Sequence, residues 1–91
     1  MSPSKIGAFI SKLRKDKNMT QQELGDLLGI NGKSVSKWER GINCPYISIL
    51  SEIAKIFDIS IEELLNGERN NIETYTKDDG KYYKIIWIFR K

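Results

Sequence analysis

Lys33, Ser36, Lys37 and Arg40 recur at separations of three and four residues. At the angular step of a helix they share an arc of about 140° with Gly32. Ser34, Val35, Trp38 and Glu39 occupy the opposite half. One side of such a helix is small, polar and cationic, while the other can bury Val35 and Trp38. Ammonium donors on its first turns suit acceptors such as guanine O6 and N7 on a groove floor, and small neighbours allow close approach to a groove wall. An ordinary solvated face satisfies the same pattern, so the elements around it must decide.

Other chemistries find little support. The chain has no histidine and a single cysteine, Cys44. This excludes Ser-His and Cys-His catalysis, histidine-ligated and four-cysteine zinc, and an intrachain disulfide. Glu62-Glu63 and Asp78-Asp79 are adjacent pairs, which point apart on a helix or flank a turn and cannot flank one scissile bond. No phosphate-cradling glycine loop or metal-ligand spacing is present. The expectation is a protein with no enzymatic activity, no cofactor and no metal, and with Cys44 structurally inert.

With 91 residues and 10.5 kDa, the chain has room for one small domain. Its 40% hydrophobic and 30% charged residues fit a soluble globular protein. Residues 1–67 carry nine basic and eight acidic side chains, and residues 68–91 carry six and four, giving +1 and +2 of the total +3. So small an excess says little by itself, and placement matters more. No apolar signal region follows Met1, and the longest nearly apolar run, Tyr82–Phe89, is far too short to cross a bilayer. A cytoplasmic protein with no membrane partner is expected.

The helices that would hold the cationic face are legible. Ile6, Phe9, Ile10 and Leu13 mark an amphipathic helix over about residues 4–17. Thr20-Gln21-Gln22-Glu23 is a capping box that starts a second helix, expected to bury Leu24, Leu27 and Leu28 and to stop at Gly29. Asn31 can cap a third helix running to Arg40. After Pro45, a fourth buries Ile47, Leu50, Ile53, Ala54 and Phe57. Ser60-Ile61-Glu62-Glu63 caps a short fifth with Leu64 and Leu65, closed at Gly67. These five helices give a compact all-α domain over 1–67. Beyond Glu68 the composition turns β-branched and aromatic, and Asp79-Gly80 separates two alternating runs, so 68–91 reads as a C-terminal β-hairpin extension. A lone hairpin is marginal in water and needs a surface to lie on.

The tight turn between the second and third helices gives a helix-turn-helix layout. At this level the sequence resembles the phage repressor/Cro-type, or XRE-like, helix-turn-helix family. The matching segments are Met19-Thr20-Gln21-Gln22-Glu23-Leu24, Leu28-Gly29-Ile30, Val35-Ser36-Lys37-Trp38-Glu39-Arg40-Gly41, Pro45, Leu50, Ile53-Ala54, Phe57 and Ile59-Ser60-Ile61-Glu62-Glu63-Leu64. The resemblance covers about two-thirds of the chain. It implies a sequence-specific regulator of transcription, with a repressor as the expected form. A dimer would place the third helix of each subunit in the major groove of a pseudo-palindromic operator in double-stranded DNA. It implies further that Lys33, Ser36 and Lys37 contact bases, that Gln21 and Asn31 contact phosphates, and that Arg14 and Glu39 form a structural ion pair. Gly32 departs from the family, standing where many relatives place a long base-reading side chain.

Some readings remain open at this level. Ser36 also fits an ordinary surface serine, and Arg40 fits either a phosphate contact or a loose surface charge. Ile49 and Ile56 lie seven residues apart on one helical face where the family usually has polar or small residues. With Tyr83, Ile85 and Trp87 of the extension they suggest an interface, either hairpin against the fourth helix or subunit against subunit. The alternative function is an antitoxin-type or protein-interaction module that uses the extension to hold a partner protein.

Overall fold

The computed structural model describes residues 2–68 in full and residues 72–78 and 81–87 through their backbone. Five helices come first: α1 (Pro3–Asp16), α2 (Gln21–Leu28), α3 (Gly32–Glu39), α4 (Ile47–Ile56) and α5 (Ile61–Asn66). Each boundary has a local cause. Ser2 caps α1 with Pro3 in its first turn, where a missing N–H costs nothing. Thr20 and Glu23 exchange both capping-box bonds at the start of α2, with Thr20 Oγ1 accepting from the Glu23 amide at 3.0 Å and Glu23 Oε1 from the Thr20 amide at 2.9 Å. Ser60 and Glu63 do the same for α5. Only α4 starts without a side-chain cap, at Tyr46.

Every helix contributes to one core: Ile6, Phe9, Ile10 and Leu13 from α1, Leu24 from α2, Val35 and Trp38 from α3, Leu50, Ile53 and Ala54 from α4, and Leu64 from α5. Phe57 and Ile59 enter from the α4–α5 turn. α1 and α3 cross in close contact at Gly7. A Cβ on Gly7 would overlap the backbone carbonyl of Trp38, so the crossing requires glycine.

Two apolar positions differ from the sequence expectation. Leu27 is 61% exposed and Ile47 is 73% exposed. On α2 the inward direction is set by Leu24, Gly25 and Leu28, and Leu27 points about 100° away from it. On α4, Ile47 is the first helical residue and lies about 70° off the stripe formed by Leu50, Ile53, Ala54 and Phe57.

After the helices, β1 (Ile72–Asp78) pairs antiparallel with β2 (Lys81–Trp87), in a register running from Ile72 opposite Trp87 to Asp78 opposite Lys81. The expected Asp79-Gly80 turn and the side chains of Tyr83, Ile85 and Trp87 lie outside the described residues.

Candidate nucleic-acid interface

The α2–α3 connection is short and tightly bonded. Gly29 ends α2 in the left-handed region at φ 72°, and the Ile30 amide returns to the Gly25 carbonyl at 2.9 Å. Two residues later the Asn31 side-chain oxygen accepts from the Lys33 amide at 2.8 Å and starts α3. The buried side of α3 carries Val35 and Trp38, as its periodicity requires. Its other side exposes Lys33 and Lys37, with Ser36 half-buried between them. Asn31 is exposed at the leading end of the helix. Arg40 is exposed at the trailing end as the C-cap, with Nε donating to the Ser36 carbonyl at 3.4 Å.

α3 is held by a clamp. Arg14 on α1 donates to Glu39 on α3 through Nε at 2.7 Å and Nη2 at 2.9 Å, and its Nη1 donates to the Met19 carbonyl at 2.7 Å. The two side chains are only 11% and 7% exposed. Gln21 joins from the first turn of α2, its Nε2 donating to Glu39 Oε1 at 3.1 Å. Burial works to raise the Glu39 carboxyl, yet hydrogen bonds from Arg14, Gln21 and Ser11 and the Arg14 charge outweigh it, so the group sits below its ordinary range. Arg14 is raised in turn, chiefly by its hydrogen bond to Glu39 and against the effect of burial. One carboxylate thus fixes α1, the start of α2 and the end of α3 together, and it occupies the Gln21 side chain in doing so.

Among the described residues, the ion pairs are Arg14–Glu39, Lys12–Asp16 and Lys55–Glu52. Lys33, Lys37 and Arg40 belong to none of them, so the outer face of α3 presents cations without local neutralisation. Such a face attracts phosphate and offers ammonium donors.

Gly32 is placed differently from the sequence reading, which set it on the open arc of α3. It is buried. A Cβ there would come within 2.8 Å of Gln22 Oε1 and 3.1 Å of Gln22 Cα, because the first turn of α2 crosses directly over the start of α3. Gln22 itself is exposed, and its Nε2 donates to Asp26 Oδ1 at 2.8 Å. No spacing rule links positions 22 and 32, so nothing in the pattern of residues singled out Gln22.

Ile49 and Ile56 are half-buried and pack against the domain's own core, so the five helices already use part of both. Ile49 also lines a groove of roughly 380 Å³ with Ile30, Lys37, Trp38, Cys44 and Pro45. Tyr46, which also lines the groove, is 81% exposed, and Ile42 and Ile47 are 59% and 73% exposed.

The family model described as helix-turn-helix matches residues 10–64, which contain the clamp, the turn and the cationic face. The chain belongs to the helix-turn-helix family. Over 59 residues, 65% of this chain and 29% of the relative, it is 41% identical to the transcriptional activator BcrR of Enterococcus faecalis. The c2 repressor of Salmonella phage P22, in a crystal structure with a synthetic operator, superposes with a TM-score of 0.65 at 30% identity over 69% of this chain and 96% of that one. The biofilm regulator SinR of Bacillus subtilis, in complex with DNA, gives 0.61 at 31% identity over 66% and 97%. The chain spans 29%, 60% and 52% of three curated relatives, each named as a transcriptional activator or regulator. Among the described residues no helix is long and apolar enough to cross a membrane.

Proposed function

We propose that this helix-turn-helix protein is a sequence-specific DNA-binding regulator of transcription, acting in the cytoplasm as a repressor. Two subunits bind a pseudo-palindromic operator, each with α3 in the major groove. Lys33, Ser36 and Lys37 face the bases. Asn31 contacts backbone phosphate through its side-chain NH₂, since its oxygen serves as the cap. Gln21 reaches phosphate through its backbone amide at the start of α2, because its side chain is engaged by Glu39. Arg40 adds a phosphate contact at the far end. The observation that carries this reading is the exposed, un-neutralised pair Lys33 and Lys37 on a helix clamped by a buried ion pair. The reading assigns the protein no chemistry of its own.

Dimerisation in this reading uses the hairpin extension over 68–91, with Tyr83, Ile85 and Trp87 on it, together with Ile49 and Ile56 on α4. Tyr46, which shares a groove with Ile49, and the exposed Ile42 and Ile47 offer apolar surface that supports such a contact.

Fluorescence anisotropy with random duplex DNA across a salt series tests the interface. The wild type binds with a steep log–log salt slope, about −0.9 for each phosphate contact. The Lys33→Ala/Lys37→Ala double variant binds at least about tenfold more weakly with a shallower slope. Flat or absent binding by the folded wild-type protein would defeat the proposal.

A further inference from the structure

The space beside Gly32 is filled from another helix. The Gln22 carboxamide lies where a Cβ at position 32 would project, with Oε1 within 2.8 Å of that point. Its orientation has a chemical cause. A carboxylate only accepts hydrogen bonds, so Asp26 Oδ1, 2.8 Å away, holds the NH₂ end and leaves Oε1 turned toward Gly32 at the head of α3. Gln22 is nevertheless exposed, as is Lys33, the residue that follows Gly32 in α3.

We propose that Gln22 is a base-reading residue of this protein and that it selects adenine. The proposal rests on the placement of α3 in the major groove. The carboxamide keeps its Oε1 acceptor and its second N–H free of Asp26, and an acceptor beside a donor matches adenine N6 and N7. The Asp26 carboxylate next to it disfavours phosphate oxygens and favours the amino edge of a base. Specificity at the leading end of α3 therefore passes to α2. The close crossing leaves only a glycine's space at position 32, where a base-reading side chain would otherwise root.

The test is selection from a randomised duplex pool with the full-length wild type, followed by competition titrations against single-base variants of the selected site. Wild type prefers adenine at one position of each half-site. Gln22→Ala loses that preference, by about tenfold or more, and keeps the remainder of the motif and the salt slope. Gln22→Glu, which accepts but cannot donate, moves the preference at the same position from adenine to cytosine. Asp26→Ala, which removes the acceptor for the Gln22 NH₂, weakens the preference by releasing the carboxamide. Thermal melts of these surface variants coincide with wild type. Identical preferences at every position for wild type and Gln22→Ala would overturn the assignment of Gln22 while leaving the α3 interface standing. Wild type that selects no motif, or binds no duplex, would remove the interface and Gln22 together.

Discussion

Glu39 concentrates three helices on one carboxylate, so its contribution to stability is set by desolvation against pairing. With side chains 7% and 11% exposed, Glu39 and Arg14 have both given up most of their water. The bidentate geometry and the Gln21 donor compensate for that loss. Removing one charge leaves the other stranded, so Glu39→Gln should lower unfolding free energy at pH 7 by about 3 kcal/mol. The pH dependence has a definite sign. The folded carboxyl titrates below the unfolded one, so its stabilisation is complete above the unfolded value of about 4.3 and is lost as pH falls through the folded value. Arg14, raised above an already high value, loses its share only in strong alkali. Urea unfolding followed by circular dichroism should therefore show wild type and Glu39→Gln well separated at pH 7 and drawing together as the pH falls below the ordinary carboxyl range and through the folded value. A separation that stays constant throughout the acid range would show that shape, and not charge, holds the clamp.

At the scale of the helices, what the sequence revealed and what it concealed divide by the range of the interaction. Thr20 with Glu23 and Ser60 with Glu63 each close within four residues, so both capping boxes could be read before any fold was known, and both form. The cationic face of α3 is likewise a property of one helix. Gly7 and Gly25 gave no such signal, because the first is explained by Trp38, 31 positions away, and the second by the turn that brings back Ile30. Leu27 and Ile47 were expected inside because they are apolar and near the stripe, and only the packed neighbours show which side of each helix faces in. Gln22 over Gly32 is hidden for the same reason. These differences lead to contrasting substitutions. Gly7→Ala forces a methyl into the Trp38 carbonyl and should cost about 3 kcal/mol or more. Leu27→Gln should change stability by less than about 0.5 kcal/mol. Urea midpoints of the two variants would give the comparison, and a mild Gly7→Ala effect would mean that α1 and α3 can separate without loss.

On the scale of the molecule, the folded core and the surplus charge occupy different parts of the chain. Every residue of the described core lies between Ile6 and Leu64, whereas two of the three net positive charges lie beyond Gly67. Truncation after Gly67 should therefore leave the helical domain, its clamp and Lys33 and Lys37 intact. What it removes, if the extension joins two subunits, is the coupling between half-sites. A joined pair binds its second half-site at an effective concentration set by the linkage, which two separate domains lack. Sedimentation equilibrium should give twice the chain mass for the full protein and a single mass for the truncated one, with thermal melts that cease to depend on protein concentration. Binding to duplex DNA should weaken, and the salt slope should fall toward half, since each event then neutralises one subunit's phosphates. A truncated protein that still sediments as a dimer with an unchanged slope would transfer the pairing surface to Ile49, Ile56 and the exposed Ile42, Tyr46 and Ile47. The extension would then have no part in holding two copies on DNA.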